Sequence, residues 1–178
     1  MIKKILYAVI TLIALVCIYA AVAPSEYYVE RQQAIAATPE KIFPLVNNSK
    51  KMNEWMPWAE ADPKMVMTYS GPEEGVDAVS SWNSEGQMGV GSAKIIESIP
   101  NEKVVSLLEY KKPFEGIQTA EVSITSSAEG QSLVKWSVKG NNNFVGRVLC
   151  LFMNMDKMVG SQFEKGLLKL KELSETAQ

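Results

Sequence analysis

Hydrophobic residues recur at steps of three and four along the last part of the chain, from Phe144 to about Leu173. This spacing places them on one face of an α-helix, and most charged residues of the same stretch fall on its other faces. The apolar face comprises Val145, Val148, Leu149, Phe152, Met155, Val159, Phe163, Leu167 and Leu170. At about 1.5 Å per residue, one helix over this stretch is ~40 Å long, which is enough to lie across a whole small sheet.

Upstream of that helix, polar and apolar residues alternate in a way that indicates β-strands. The alternation predicts strands over residues 27–36, 104–110, 119–125 and 133–139, and the spacing of turn glycines predicts short strands over residues 65–69, 78–83 and 89–98. After the first strand, Thr38 and Pro39 begin a short helix, and a second short helix runs from Lys50 to about Trp55. The predicted fold class is therefore α+β, with a curved antiparallel sheet wrapped around one long C-terminal helix.

The N-terminal stretch from Ile5 to Ala23 contains no charged residue and consists mainly of Ile, Leu, Val and Ala. As a helix it is ~28 Å long, close to the ~30 Å thickness of the hydrocarbon core of a bilayer. We interpret residues 1–23 as a transmembrane anchor, with a cleaved signal peptide as the alternative. Pro24 disfavours cleavage at the small residues that precede it. Residues 24–178 form one domain, and Lys3 and Lys4 predict that the membrane separates it from the cytoplasm.

The composition excludes several classes of site. The formal net charge is −2, and Arg31 and Arg147 are the only arginines, which argues against binding of nucleic acid. The chain has no histidine, so it lacks the commonest general base and the commonest transition-metal ligand. The carboxylates are not clustered in the sequence. We therefore expect no metal, no cofactor and no assigned catalytic residue.

Short motifs add a resemblance to a known family. The strings that carry it are Ala34 to Phe43, Trp55-Met56-Pro57-Trp58, Asp62-Pro63, Tyr69 to Gly75, Trp82 and Gly89-Val90-Gly91. Together with the order of the predicted elements, they resemble the START-like (SRPBCC) superfamily, in its polyketide cyclase/dehydrase and lipid-transport branch. The resemblance covers roughly residues 27–173. It implies a helix-grip fold with a deep apolar cavity between the sheet and the long helix.

The predicted fold suggests which side chains reach such a cavity. Our candidates for its lining are Trp82, Glu109, Tyr110, Trp136, Phe152, Met155 and Met158. Trp55, Trp58 and Tyr69 are candidates for the cavity mouth. Methionine is unbranched and adaptable, so Met155 and Met158 suit a wall that faces varied ligands, although filling of an ordinary core is the alternative. Glu109 is a candidate acid because it falls on the same face of its strand as Val105 and Leu107, and a solvent-exposed position near a sheet edge is the alternative.

These observations lead to one principal hypothesis and two alternatives. The principal hypothesis is a membrane-anchored, non-enzymatic module that holds a lipid or another hydrophobic small molecule. Residues 5–23 would span the inner membrane of a bacterium once, with the domain in the periplasm. The first alternative is an enzyme of the cyclase/dehydratase kind that uses Glu109 or a tyrosine as acid or base. The second is a protein-binding domain similar to the chaperone-activating relatives of this fold.

Overall fold

The computed structural model describes residues 2–58, 62–86, 88–127 and 130–176 of the chain. The helices are α1 (Ile2–Val22), α2 (Pro39–Asn47), α3 (Ser49–Trp55), α4 (Phe144–Cys150) and α5 (Met155–Thr176). The strands are β1 (Glu26–Ile35), β2 (Val66–Ser70), β3 (Val79–Asn83), β4 (Val90–Ile99), β5 (Lys103–Lys112), β6 (Gly116–Ser126) and β7 (Ser132–Asn141).

The strands form one antiparallel sheet of seven strands in the order β1-β7-β6-β5-β4-β3-β2. The register between β4 and β5 shifts at Val90/Gly91 and again at Ile95/Glu97. Such irregularities bend a strand and increase its twist, so β4 curves as it passes over the interior. A curved antiparallel sheet with a long C-terminal helix is the fold class predicted from the sequence, and all seven predicted strands are confirmed.

The long helix α5 is fixed to the edge strand β1 at two places. Arg31 of β1 makes ion pairs with Asp156 and Glu164 of α5. Near the other end of α5, Glu175 accepts a hydrogen bond of 2.7 Å from the backbone N–H of Ala36. The helix therefore runs along β1 and its neighbour β7, and it leaves the concave side of β3 to β6 for other elements to cover.

Aromatic side chains form the centre of the core. The rings of Trp136 on β7 and Phe163 on α5 are stacked, with centroids 3.9 Å apart and planes 11° apart. Trp55, at the end of α3, meets Trp136 edge-on at a centroid distance of 5.1 Å. Gly166 of α5 lets the ring of Trp136 lie close to the helix, because a Cβ atom at position 166 would be only 2.8 Å from that ring. The indole N–H of Trp55 donates to the carbonyl oxygen of Leu45 in α2 at 2.9 Å, which ties both short helices to the core.

The prediction of one continuous helix from Phe144 is wrong. The structure has a break between Cys150 and Met155, with α4 on one side and α5 on the other. The side-chain oxygen of Asn154 accepts a hydrogen bond of 2.9 Å from the backbone N–H of Lys157, so a new helix is capped at this point. Phe152 consequently lies in the connection and is 74% exposed.

The N-terminal helix α1 is almost entirely exposed and has a mean hydropathy of 2.7 over its most apolar window. By length and composition it is suited to crossing a membrane, although a signal sequence has the same properties. Its C-terminal end lies beside α4, where the guanidinium group of Arg147 donates to the carbonyl oxygens of Ala21 and Ala23 at 3.0 and 3.3 Å.

Candidate functional site

A cavity of about 420 Å³ lies between the concave side of the sheet and the helices α3 and α5. It exists because α5 follows β1 and β7 and does not fill the space over the inner faces of β3 to β6. Its volume falls within the range of ~300–1,000 Å³ that is typical of small-molecule sites.

Strand alternation determines which residues form the floor of the cavity. The inward side chains are Val104, Ser106, Leu108 and Tyr110 from β5, Gln118, Ala120 and Val122 from β6, and Trp136 and Val138 from β7. Successive residues of a strand point to opposite sides of a sheet. Glu109 therefore points away from the cavity that Tyr110 lines, and its side chain is exposed. Its assignment to the cavity lining is corrected by the structure.

Methionine side chains make up much of the cavity wall. Among the described residues, six methionines line it: Met52, Met56, Met65, Met67, Met88 and Met155. Flexible thioether side chains adapt to differently shaped apolar partners. Met155 is placed as predicted, whereas Met158 does not line the cavity and is 44% exposed. Val159 and Phe163 line the cavity together with Met155, so Met158 lies outside the inward face of α5.

Two tryptophans of the predicted lining do reach the cavity. Trp82 of β3 lies over Gly91 of the neighbouring strand β4, where a Cβ atom would collide with its indole ring. The indole N–H of Trp82 donates to the carbonyl oxygen of Met88 at 3.1 Å, and its ring meets the edge of Tyr110 at a centroid distance of 5.6 Å. Trp136 lines the opposite part of the floor. Phe152 does not contribute, because it lies in the exposed connection between α4 and α5.

The three candidates for the cavity mouth have different positions. Trp58 lines the cavity, together with Met56 from the same motif. Trp55 is completely buried beneath them and is part of the core. Tyr69 on β2 is 38% exposed and does not line the cavity.

A small polar group lies at one end of the otherwise apolar cavity. The hydroxyl of Tyr110 donates to the side-chain oxygen of Gln118 at 3.2 Å. Tyr27 of β1 reaches the same region across Gly140, where a Cβ atom would lie 3.0 Å from Gln118 and 3.1 Å from the Tyr27 hydroxyl. Neither Tyr27 nor Gln118 was predicted from the sequence as a cavity residue. The alternation of polar and apolar residues in β1 placed Tyr27 on one face of the strand. Because that alternation is imperfect, it did not indicate which face of β1 is directed inward.

Burial moves both of these tyrosines further from ionisation. It raises the pKa of Tyr110 to about 12. The pKa of Tyr27 is also raised well above its ordinary value, first by burial and then by the proximity of Tyr110 and Cys150. At neutral pH both side chains are therefore uncharged phenols that donate or accept hydrogen bonds, and neither is suited to act as a general base.

Charged groups are scarce in the cavity. Lys112 is the one charged side chain among the described residues that line it. It is located where β5 ends, next to Pro113 and Phe114. Asp156 lies outside the cavity and is paired with Arg31 at 3.0 Å. Within the described ranges, no group of His, Cys, Asp and Glu side chains is arranged to hold a metal ion. The site can thus enclose a largely apolar molecule and offer hydrogen bonds to one part of it.

Comparison with known sequences gives no family for this chain. No protein-family model matches it. No curated protein matches it either.

Solved structures do share its fold. The structure of an Aha1 dimer from Colwellia psychrerythraea is similar with a TM-score of 0.58 and 20% identity, over 85% of this chain and 98% of that one. A protein from Thermobifida fusca is similar with a TM-score of 0.63 and 16% identity, over 83% and 92%. The di-domain ARO/CYC StfQ of the steffimycin biosynthetic pathway is similar with a TM-score of 0.60 and 14% identity, over 85% of this chain and 51% of that one. The chain thus has the START-like helix-grip fold, as its motifs predicted.

Proposed function

We propose that this protein is a membrane-anchored binding module that holds a lipid or a similar hydrophobic small molecule in its internal cavity. The observation that carries the proposal is the cavity of about 420 Å³ with a methionine-rich, aromatic and aliphatic lining. A space of this size and chemistry favours an apolar occupant, because every apolar Å² removed from water stabilises the complex by about 25 cal/mol.

The polar group at one end of the cavity gives the occupant an orientation. Tyr27, Tyr110 and Gln118 offer hydrogen bonds there, and the cationic side chain of Lys112 lies on the rim. These groups suit an amphiphile with an oxygen-containing head, such as a carboxylate or an ester. Its hydrocarbon part would then lie toward Val104, Val122 and Trp136, which line the cavity further along the paired strands.

Binding without catalysis is the better supported alternative. Glu109, the acid proposed for a cyclase-like reaction, is exposed on the other side of the sheet. No carboxylate belongs to the cavity lining within the described part of the chain. The tyrosines are protonated at neutral pH, as tyrosine ordinarily is, and burial raises the pKa of each further. Among the described residues, the lining therefore offers no side chain that readily accepts a proton.

The proposed location follows from α1. This helix is long and apolar enough to cross a bilayer once, and Lys3 and Lys4 lie at its N-terminal end. By the tendency of basic residues to stay in the cytoplasm, the domain would lie on the other side of the membrane. In a bacterium this is the periplasmic side of the inner membrane. A lipid is the natural occupant of a cavity that is tethered beside a bilayer.

Native mass spectrometry of the full chain, released from membranes of its host in a mild detergent, tests this proposal. We expect an additional mass in the range of a single amphiphile, which is lost under denaturing conditions. Fragmentation of that species then identifies its class. A chain that carries no such mass, and that acquires none from a broad lipid panel, would contradict the proposed function.

A further inference from the structure

An apolar segment, residues 144–153, lies on the surface between β7 and α5. It contains α4 and the first part of the connection to α5. Its exposed large hydrophobic side chains are Phe144, Val145, Leu149, Leu151, Phe152 and Met153. Arg147 is its one charged residue. A contiguous apolar surface of this kind is unusual in contact with water and marks an interaction site.

Strand pairing fixes where this segment lies relative to α1. β1 begins just after α1, and its first residue, Glu26, pairs with Asn141, the last residue of β7. The backbone N–H of Asn142 then donates to the carbonyl oxygen of Ser25 at 2.7 Å. The C-terminal end of α1 and the start of the apolar segment are therefore close together in space.

Arg147 strengthens this connection. Its guanidinium group donates to the carbonyl oxygens of Ala21 and Ala23, which lie at the C-terminal end of α1. These carbonyls have no partner within the helix, and the negative end of the helix dipole favours a cation there. The one charge of the segment is thus used to hold α4 against the end of α1, and the apolar side chains are left facing outward.

A second apolar patch lies at the same end of the sheet. Phe114 and Ile117 are exposed, and they lie in and just after the turn from β5 to β6. Gln118 of β6 pairs with Gly140 near the end of β7, so this turn is at the end of the sheet from which the apolar segment starts. Phe114 also lines the cavity. The cavity wall therefore reaches the end of the domain that carries the apolar surfaces and α1.

We infer that the apolar segment 144–153, with Phe114 and Ile117, lies in the surface layer of the same bilayer that α1 crosses. The inference rests on the proposed membrane anchor. Amphipathic surfaces bind bilayers in this way, with aromatic and aliphatic side chains at the boundary between head groups and acyl chains. Because this surface adjoins the end of the membrane-spanning helix α1, the partner that covers it is the phospholipid bilayer itself. The cavity then faces the lipid, and a guest enters from the membrane without passing through bulk water.

Tryptophan fluorescence of the full chain in phospholipid vesicles tests the inference. The reporter variant is Phe152→Trp. The matched control is Leu168→Trp, an exposed apolar position of α5 that lies ~20 Å further along the helix than Met155. Both variants retain the four native tryptophans, so wild-type emission is subtracted in each case. The emission is then quenched either by phospholipids brominated on their acyl chains or by aqueous iodide.

We expect the added emission of Phe152→Trp to be quenched several-fold more by brominated lipid than that of Leu168→Trp, and several-fold less by iodide. Leu149→Trp provides a second reporter with the same expectation if Phe152→Trp alters the melting temperature. Retention of the wild type in the vesicles after alkaline carbonate extraction reports on α1 separately. If the protein is retained but both reporters behave like Leu168→Trp, the segment faces water or a soluble partner, and the inference fails while the anchor stands. Release by carbonate overturns the anchor and this inference together.

Discussion

Arg31 on β1 lies directly across Gly160 on α5. Its guanidinium group occupies the space that a side chain at position 160 would need. From there it reaches Asp156, one turn before Gly160, at 3.0 Å, and Glu164, one turn after it, at 2.8 Å. The absence of a Cβ atom at Gly160 thus allows one arginine to pair with two acids and to hold the long helix against the edge of the sheet.

This arrangement predicts the effect of a single methyl group. Gly160→Ala should displace the guanidinium group and weaken both ion pairs, which works against the gain in helix propensity from alanine, so the melting temperature of the full chain should change little. Thermal unfolding followed by circular dichroism measures the effect. Gly116→Ala is the matched control, because a Cβ atom at Gly116 meets nothing within 4 Å.

A double-mutant cycle separates this cause from a general effect of alanine in the helix. In an Arg31→Ala background the guanidinium group is absent, so Gly160→Ala should stabilise the protein by ~1 kcal/mol through the higher helix propensity of alanine. Equal effects of Gly160→Ala on stability in both backgrounds would contradict the proposed role of Gly160.

The folded protein should become less stable in acid because a small set of its carboxylates becomes protonated. The pKa of Asp156 is lowered by its hydrogen bond from Arg31, that of Glu30 by Tyr28, and that of Glu175 by Lys171. A group whose pKa is lower in the folded state contributes stability above its unfolded pKa of ~4 and loses that contribution as the pH falls through the folded value. We therefore expect a nearly constant melting temperature from neutral pH to about pH 5 and a decrease below about pH 4.

Asp156→Asn isolates one of these carboxylates. The variant should melt at a lower temperature than the wild type at neutral pH, and the two curves should converge in acid as the wild-type carboxylate becomes protonated. A temperature difference that is the same at all pH values would mean that the charge of Asp156 does not contribute to stability.

Two phenylalanines near the C-terminus should differ strongly in their contribution to folding. Phe163 is 3% exposed and stacked on Trp136, whereas Phe152 is 74% exposed. Phe163→Ala should lower the free energy of unfolding by ~3–5 kcal/mol, which is typical of a large-to-small change in a core. Phe152→Ala should change it little. Chemical denaturation monitored by tryptophan emission gives both values, and similar losses for the two variants would place Phe152 in the core after all.

The sequence predicted the strands well because alternation has a period of two that depends little on neighbouring elements. It failed at the start of the long helix. Leu149, Phe152 and Met155 continue a helical spacing without interruption, and only the capping side chain of Asn154 reveals the break. A polar residue among apolar ones is easily taken for part of the polar face of the same helix.

The faces of β5 were harder to assign from the sequence. Val104 and Leu108 alternate with Val105 and Leu107, so both sides of the strand are apolar in its first part. Ser106 and Leu108 line the cavity together with Ala120 and Gln118, the residues of β6 with which they pair. The side of β5 that carries Ser106 and Leu108 therefore faces the interior. That choice places Tyr110 in the cavity and Glu109 outside it.

The methionine wall is a tertiary feature that no local pattern predicts. Met52 comes from α3, Met67 from β2 and Met155 from α5, and these elements are distant in the sequence. Their convergence depends on how far the sheet curves away from α5. The high density of methionine between residues 52 and 88 was the available signal, but it does not indicate a direction for any side chain.

If the cavity is a binding site, a large side chain placed inside it should block binding. Ala120 lies on the cavity floor in the middle of β6, and Thr119 precedes it on the opposite side of the sheet. Ala120→Trp should occupy part of the cavity, and Thr119→Trp adds the same side chain outside it. The measurement is the titration of the full chain in detergent with a fluorescent fatty acid.

We expect the wild type and Thr119→Trp to bind the probe with similar affinity, and Ala120→Trp to bind at least tenfold more weakly while its melting temperature remains close to that of Thr119→Trp. Space for the indole ring explains the retained stability, since overpacking of a filled core would cost ~1–3 kcal/mol. Unchanged binding by a folded Ala120→Trp variant, or no binding by the wild type, would mean that the cavity is not the binding site.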